Sequence, residues 1–273
     1  DGKQIVYGVA QIDVEKDKQL SGLWLYSLES GKHRRLTSGP YKDWGAAWSP
    51  DGKNIAFLAQ RDELPQIYVI AADGGEPMAL TNLKQPIGGA PVWSPDGKQI
   101  AFTAVPKMEA PPDPQNPYRV YRTVYRFDGA GYLDTLVQDI YVIAAEGGEP
   151  RQLTKDRFNN SAPCWSPDGR QILFMALADQ VSSTPHCQVL QTVDLEGNLQ
   201  TLHKDWGVYQ TAAWMPDGKG IVFCGQKNGL PIGSKTDLWV YNLESQKTTC
   251  RTPNQKFGVG GSLRNDLPVS WKT

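Results

Sequence analysis

Residues that could act as nucleophiles, general bases or metal ligands are few and scattered in this sequence. A hydrolase nucleophile elbow reads Gly-x-Ser-x-Gly, whereas the nearest approach, GGSLR at 260–264, lacks the last glycine. The histidines His33, His186 and His203 are far apart in the chain, so a shared catalytic triad is not expected. No His-x-x-x-His pair and no P-loop pattern occur. We therefore expect this chain to hold no catalytic residue, no metal and no cofactor.

Composition argues against two classes of partner. The chain has 273 residues, with 28 Lys and Arg against 29 Asp and Glu, so its formal net charge is −1. This balance gives no broad attraction to nucleic acid or to an anionic membrane. The apolar runs are far shorter than the roughly 20 residues that span a bilayer. The 27 Gly and 20 Pro residues instead predict many turns between short elements.

The elements that must position any functional side chain are set by a repeat. The hexapeptide Trp-Ser-Pro-Asp-Gly-Lys starts at Trp48 and at Trp93, and it returns with one change each at Trp165 and Trp214. Each copy precedes a short apolar run, and a run of aromatic and β-branched residues follows that one. Short runs bounded by Gly, Pro and Asp are typical of strands. We expect four strands per repeat, with each Trp packing between neighbouring sheets just before the hairpin of the first two strands.

Four strands at this period predict the blade of a β-propeller. We expect an all-β fold, with one propeller domain over 1–273 that belongs to a longer parent protein. Residues 1–7 match a repeat from its Asp-Gly onward, and 267–271 match a first strand. Five four-stranded repeats could then close as a ring or form an arc of a ring of six to eight blades. The repeats are 1–50, 51–95, 96–167 with an insertion at 106–139, 168–216 and 217–273.

The repeat resembles a known family. Its full pattern is Trp-Ser-Pro-Asp-Gly-Lys-x-Ile-Ala-Phe, followed by Ile-Tyr-Val and by Gly-Gly-x-Pro-x-x-Leu-Thr. This pattern resembles the TolB-type, WD-repeat-like β-propeller repeat, and the resemblance extends over essentially the whole chain. Because this repeat occurs in several classes of protein, the resemblance implies an architecture and leaves the activity open.

The insertion in the third repeat narrows the resemblance. Residues 122–132 read Arg-x-x-Tyr-Arg-x-Asp-Gly-x-Gly-Tyr, which is similar to the insertion in propellers of acylaminoacyl-peptidase-type enzymes. These enzymes belong to the prolyl oligopeptidase family of serine peptidases, in which the propeller covers a C-terminal α/β-hydrolase domain. The resemblance implies a non-catalytic gate for peptide substrates. Its partner would be a hydrolase domain of the same parent chain, outside the sequence given.

A second function stays open, namely a TolB-like protein-binding scaffold with no attached enzyme. Whether the parent protein is an enzyme is therefore undecided by the sequence. The four cysteines form no Cys-x-x-Cys pair, and Cys164 and Cys224 lie in strand-like runs typical of small core residues. Reduced cysteines favour a cytoplasmic protein, while the TolB-like alternative would place it in the periplasm.

Candidate binding residues lie in the loops that lead into the first strands, which open on the centre of a propeller. Exposed aromatic rings beside polar groups are good contact points for a peptide or a protein. Trp44 and Trp206 both occur in Lys-Asp-Trp-Gly, and their alternative role is to cover loop ends. The candidates are Asp43, Trp44, Phe158, Asn159, Trp206, Tyr209 and Arg264.

The insertion supplies a second group of candidates, Tyr121, Arg122 and Arg126. With Tyr125, these residues recur at a spacing of four, which suits one face of a helix, although the alternation of Tyr and Arg also permits a strand. The arginines could pair with a peptide carboxylate or with an acidic surface of the hydrolase domain. The alternative is a packed lid with solvated arginines.

Overall fold

The computed structural model describes most of the chain, and every regular element in the described part is a β-strand. No described segment forms a helix that could cross a membrane. The chain divides into two compact units, residues 1–108 with 138–153 and residues 109–137 with 154–273. The prediction of an all-β chain is confirmed for the described residues. These are 2–15, 17–106, 117, 126–127, 131–132, 137–156, 158–177, 188–204, 207–227 and 234–259.

The first unit begins with a seven-stranded sheet made of two antiparallel meanders. The two meanders join through one parallel pairing, between Ser21 and Lys42. The first meander holds three strands and the second holds four. The strands are β1 (Gln4–Asp13), β2 (Lys18–Ser27), β3 (His33–Arg35), β4 (Lys42–Trp48), β5 (Asn54–Gln60), β6 (Gln66–Ala71) and β7 (Met78–Ala79).

The first unit also contains a four-stranded sheet, with the order β13-β12-β9-β8. The chain leaves this sheet after β9 for the insertion and returns in β12. Within the insertion, β10 and β11 pair with each other in an antiparallel hairpin. The four strands of the sheet are β8 (Val92–Trp93), β9 (Gln99–Ala104), β12 (Asp139–Ala144) and β13 (Arg151–Gln152). The hairpin strands β10 (Arg126–Phe127) and β11 (Gly131–Tyr132) belong to the second unit.

The second unit contains two four-stranded antiparallel sheets, each a meander in chain order. The strands of the first are β14 (Asn160–Trp165), β15 (Gln171–Leu177), β16 (Gln188–Asp194) and β17 (Leu199–His203). Those of the second are β18 (Val208–Trp214), β19 (Gly220–Gln226), β20 (Asp237–Asn242) and β21 (Thr248–Cys250). The described residues therefore contain four complete four-stranded meanders, each with the number of strands predicted per repeat, while the bounds and the number of the repeats stay predictions. The fifth-repeat segment 260–273 lies outside the described residues, so ring closure stays a prediction.

The four repeated tryptophans occupy equivalent places, as predicted. Trp48, Trp93, Trp165 and Trp214 end β4, β8, β14 and β18, and each is paired with the second residue of the following strand. The Trp93 indole also donates a hydrogen bond of 3.1 Å to the carbonyl of Ala47 in β4. That bond links two sheets of the first unit, which confirms the packing role for this ring.

The turn after each Trp is fixed by its serine and aspartate. Ser49 Oγ donates to Asp51 Oδ1 at 2.6 Å and accepts from the backbone N–H of Asn54 at 2.9 Å. Gly52 has a φ of +70°, a conformation that side chains with a Cβ rarely adopt. The same hydrogen bonds recur at Ser94 and at Ser166. Sequence and hydrogen bonding therefore specify one turn several times along the chain.

Three of the meanders are closed by the threonine of a Leu-Thr or Arg-Thr pair. The threonine hydroxyl accepts a hydrogen bond from a backbone N–H of the strand before the last, which satisfies a buried donor. Three such bonds, each of 2.9 Å, join Leu23 N to Thr37, Ile67 N to Thr81 and Leu238 N to Thr252. The second strands carry the core, because their phenylalanines Phe57, Phe102, Phe174 and Phe223 are at most 1% exposed.

Candidate functional site

The position five residues before the repeated Trp carries a different side chain in each sheet. It is Asp43 in β4, Asn160 in β14 and Tyr209 in β18. All three are buried, at 2%, 0% and 2% exposure. The expectation that Asp43 and Tyr209 lie exposed in loops is therefore wrong. The strands begin earlier than expected because their first residues already pair with the end of the second strand.

A β-bulge follows this position in all three strands. The pairing register shifts between Trp44 and Ala47, between Ser161 and Cys164, and between Tyr209 and Thr211. A bulge inserts an extra residue and re-aims the side chains around it. The first strand of each sheet thus bends beside its buried polar or aromatic residue.

Tyr209 takes part in a closed hydrogen-bonded group. Its hydroxyl bonds His203 Nδ1 at 2.5 Å, while His203 Nε2 bonds the Thr248 hydroxyl at 2.9 Å. The His203 ring also lies 4.8 Å from the Tyr241 ring and 5.5 Å from the Phe223 ring, centroid to centroid. Both nitrogens of His203 are engaged, and because His203 ends β17 while Tyr209 and Thr248 lie in β18 and β21, this group links the two sheets of the second unit.

Asn160 holds the segment that leads into its own strand, β14. Its side-chain nitrogen donates to Thr154 Oγ1 at 3.1 Å and to Asp156 Oδ1 at 2.9 Å. The Asp156 carboxylate also accepts from the backbone N–H of Phe158 at 3.1 Å, which shapes the loop that carries two predicted candidates. Phe158 is half-buried and Asn159 is exposed.

Asp43 differs from its equivalents because it is itself an acid and the guanidinium of Arg61 faces it. Arg61 Nη2 lies 3.8 Å from Asp43 Oδ1, which is an ion pair but longer than a hydrogen bond. The Thr37 hydroxyl hydrogen-bonds the Asp43 carboxyl. Burial raises the pKa of Asp43 above its usual value, although the Thr37 hydrogen bond and the Arg61 charge act in the opposite direction.

The Arg61 guanidinium is held between two aromatic rings. Its central carbon lies 4.4 Å from the Tyr41 ring centroid and 4.8 Å from the Tyr68 ring centroid. These are cation–π contacts, which favour a flat guanidinium stacked on the ring faces. Arg61 Nε and Nη2 are buried and make no hydrogen bond in the described part of the chain. The Arg61 side chain is 19% exposed, so most of it is buried.

Arg61 opens on a cleft of about 590 Å³ in the first unit. Three segments line it, namely residues 17–20 at the turn between β1 and β2, 40–42 before β4, and 60–62 after β5. Lys18, Lys42 and Arg61 supply positive charge, while Asp17 and Asp62 supply negative charge. The cleft can therefore accept a small anionic or polar group. Among the described residues, no three His, Cys, Asp or Glu side chains lie close enough to share a metal ion.

The sequence candidates include Asp43, the buried ionic partner of Arg61, but none of the residues that line the cleft. Asp43 was among the candidates, but Arg61 was not, because only the loops before the first strands were considered. In an antiparallel meander, the loop after the second strand lies at the same end as the start of the first strand. The cation directly after β5 was the signal that could have found Arg61.

The other candidates have varied outcomes. Trp44 is half-buried in β4, packs against the apolar core and has Lys42 Nζ 5.5 Å from its ring centroid. Arg126 begins β10, so the strand alternative holds at this residue and the helical one is wrong there. Tyr121, Arg122, Trp206 and Arg264 lie outside the described residues.

Comparison with known proteins connects these sheets to a family. Residues 1–110 match the family described as the TolB beta propeller domain. This match covers 110 of the 273 residues and includes the first two copies of the repeated Trp. The predicted resemblance is thereby confirmed, and the repeated Trp, Phe and Thr positions are the residues that build its sheets.

The chain is also similar to parts of larger proteins. The chain is 27% identical over 196 residues to a protein named uncharacterized peptidase YuxL of Bacillus subtilis, covering 68% of this chain and 30% of that protein. The fold is similar to a solved acylaminoacyl peptidase, with a TM-score of 0.71, 18% identity and coverage of 93% of this chain and 38% of that one. It is also similar to TolB from Acinetobacter baumannii, with a TM-score of 0.61, 19% identity and coverage of 91% and 52%.

The similarities cover only part of each larger relative. The chain spans about a third of the length of the curated peptidase relatives that it matches. The solved structures have under 25% identity with this chain and show its fold alone.

Proposed function

We propose that this chain is the non-catalytic propeller domain of a serine peptidase of the prolyl oligopeptidase family, and that it controls the access of peptides to a hydrolase domain. The observation that carries the proposal is the match to a peptidase over 68% of this chain but only 30% of the relative. The larger part of that relative has no counterpart in this chain. The sequence fits such a division, since it contains no nucleophile elbow.

The number of repeats in the propeller is also part of this proposal. We propose five repeats, because the internal sequence matches extend beyond the four complete meanders to residues 1–7 and 267–271. An experimental map of the full-length protein would count them directly. We also propose a cytoplasmic protein, since the three described cysteines Cys164, Cys224 and Cys250 are free thiols. Cell fractionation with a compartment marker tests this location.

The gating role is tested by changing the propeller and measuring which peptides are cleaved. The full-length protein and a variant lacking 1–273 are compared on a series of peptides from about 3 to 40 residues long. If the propeller restricts access, the deletion raises cleavage of long peptides relative to short ones. An equal change at all lengths argues against gating, and the absence of any serine-dependent cleavage in the full-length protein overturns the peptidase assignment.

A TolB-like binding scaffold is the second candidate. It is favoured by the match of residues 1–110 to the TolB family and by the similarity to TolB, which covers 91% of this chain. The sequence of the parent gene beyond the codon for Thr273 separates the two. A downstream hydrolase domain with Gly-x-Ser-x-Gly supports the peptidase, whereas a stop codon, or a secretory signal upstream, supports the scaffold.

A further inference from the structure

We propose that the Arg61 cleft is a carboxylate-binding site, in which Arg61 pairs with the carboxylate of a bound peptide. The identity of the ligand as a peptide rests on the proposed function, whereas binding of a carboxylate rests on the cleft alone. The carboxylate could belong to a peptide C-terminus or to an acidic side chain. These two sources have the same chemistry and are separated by the experiment below.

The first argument is that Arg61 is preorganised. A free arginine side chain loses substantial rotamer freedom when it binds a ligand. Here the Tyr41 and Tyr68 rings, at 4.4 and 4.8 Å from the guanidinium carbon, already fix its plane. A planar donor held in one orientation binds a carboxylate with less entropic loss than a mobile lysine. The two rings restrict rotamers of the Arg61 side chain that an arginine with no stacking partner on the surface would keep.

The second argument is that Arg61 has unused donors. Nε and Nη2 are buried without a hydrogen bond, and the nearest acceptor, Asp43 Oδ1, is 3.8 Å from Nη2. The third nitrogen, Nη1, is not among these buried atoms, and Arg61 lines the cleft. Nη1 is therefore the atom that a ligand entering the cleft meets first. An arginine whose only role was to neutralise Asp43 would be expected to bond it directly at 2.7–2.9 Å.

The third argument is the charge around the cleft. Lys18 and Lys42 are exposed on its lining and add positive charge beside Arg61. Asp17 and Asp62 oppose them, so the cleft is not a general anion trap. A single carboxylate fits this balance better than a phosphate with two charges. The volume of about 590 Å³ accommodates a terminal residue together with its neighbour.

Asp43 then acts as a competitor for Arg61. Its buried carboxylate attracts the same guanidinium that the ligand needs. Replacing Asp43 by Asn keeps an acceptor for the Thr37 hydroxyl but removes this competing charge. The proposal therefore predicts that replacing Arg61 weakens ligand binding and that replacing Asp43 strengthens it. A purely structural role for the ion pair does not predict opposite effects.

The test measures peptide binding to this 273-residue chain, which has no nucleophile elbow that would consume the ligand. A fluorescent tetrapeptide is prepared with a free C-terminal acid or a C-terminal amide, and each with an internal Asp or Asn. Binding is followed by fluorescence anisotropy at low salt. We expect the wild-type chain to prefer one carboxylate-bearing peptide over its neutral partner by at least about tenfold. The terminal and internal pairs show which carboxylate is bound.

Three variants assign the preference. Arg61→Met should reduce the acid-to-neutral preference to near one, Arg61→Lys should reduce it in part, and Asp43→Asn should increase it about two- to fivefold. Arg170→Met is the matched control, because Arg170 is 84% exposed and pairs only with the neighbouring Asp168 among its described contacts. It should leave the preference unchanged. Thermal melting of each variant shows that it is folded.

Any one of three results overturns the proposal. They are equal binding of acid and neutral peptides by the wild type, an unchanged preference in Arg61→Met, or a weaker preference in Asp43→Asn. If Arg61→Met does not fold, the wild-type comparison together with Arg61→Lys and Asp43→Asn still decides. Failure here leaves the peptidase proposal intact, since that is measured as serine-dependent cleavage by the full-length protein. Conversely, a full-length protein without peptidase activity can still bind a carboxylate at Arg61.

Discussion

The buried pair of Arg61 and Asp43 should make a large and strongly coupled contribution to stability. At 3.8 Å and an effective dielectric constant of about 20, the attraction between the two charges is about 4 kcal/mol before the cost of burying them. Arg61→Met leaves the Asp43 carboxylate, which is 2% exposed, without its counter-charge. Loss of one partner from a buried pair typically costs about 3–5 kcal/mol. We expect Arg61→Met to lower the free energy of unfolding by this amount.

Asp43→Asn should cost much less than Arg61→Met. Burial already opposes the charge of Asp43 and raises its pKa, so removing that charge relieves a penalty while losing the attraction to Arg61. The double variant has no uncompensated carboxylate. The loss of unfolding free energy in the double variant should therefore be smaller, by at least about 2 kcal/mol, than the sum of the losses in the two single variants. Urea unfolding followed by tryptophan fluorescence gives the unfolding free energies of the wild type, the two single variants and the double variant. These are compared with one shared value for the dependence of the free energy on urea concentration.

The pH dependence supplies an independent check on Asp43. A carboxyl with a raised pKa in the folded state stabilises the protein fully below the unfolded pKa of about 3.9, and this contribution is lost as the pH rises through the folded value. Asp43→Asn lacks this titration. The stability of Asp43→Asn relative to wild type should therefore rise as the pH increases from about 3.9 through that window.

An exposed pair of similar length is the control. Arg170 Nε lies 3.9 Å from Asp168 Oδ2, but the two side chains are 84% and 61% exposed. Solvent screening should leave little measurable coupling between Arg170→Met and Asp168→Asn. Additive effects at Arg61 and Asp43, or a loss below about 1 kcal/mol in Arg61→Met, would refute the reasoning that burial makes this pair strong.

Three further changes test the repeat itself. Phe174→Ala removes a fully buried ring and should cost about 3–5 kcal/mol in urea unfolding, and a loss below about 1 kcal/mol would contradict its core role. Thr81→Val leaves the Ile67 N–H and the Gln66 side chain without their hydroxyl partner, so we expect a loss of about 1–3 kcal/mol, with Thr81→Ser restoring most of it. The hydrogen bond from the Ser94 hydroxyl lowers the pKa of Asp96 in the folded protein. The Asp96 carboxylate therefore stabilises the fold above about pH 3.9, and this contribution is lost as the pH falls through the lowered pKa. Asp96→Asn should reduce the pH dependence of the unfolding free energy below about pH 4, measured by acid titration.

The sheets could be predicted from sequence because their determinants are local and recur. Trp93, its Ser-Pro-Asp-Gly turn and Phe102 lie within ten residues of one another, and each copy repeats the same spacing. Turn chemistry and a period of two then suffice to place two strands and their hairpin. The Leu-Thr pair was recognised as the end of a repeat, although its role in satisfying a backbone N–H of the third strand became clear only from the hydrogen bonds.

The cleft could not be predicted in the same way because it is assembled from separate segments. Tyr41 precedes β4, Arg61 follows β5 and Tyr68 lies in β6, so no short window of sequence contains the sandwich. Its ionic partner, Asp43, was recognised only as a loop residue. Long-range juxtaposition of this kind depends on strand register, which a one-residue shift would change completely.

The repeated geometry also explains why a binding site can be built in one sheet and not in the next. The position five residues before the Trp is buried and followed by a bulge in β4, β14 and β18, yet it carries Asp43, Asn160 and Tyr209. Asn160 bonds the segment that leads into its own strand, and Tyr209 bonds His203 of the neighbouring sheet. Only Asp43, of these three, faces a guanidinium that is stacked between rings and open to a cleft. The backbone thus supplies the same buried position three times. The side chain at that position decides whether it bonds to neighbouring segments of the protein or faces an arginine that can bind a ligand.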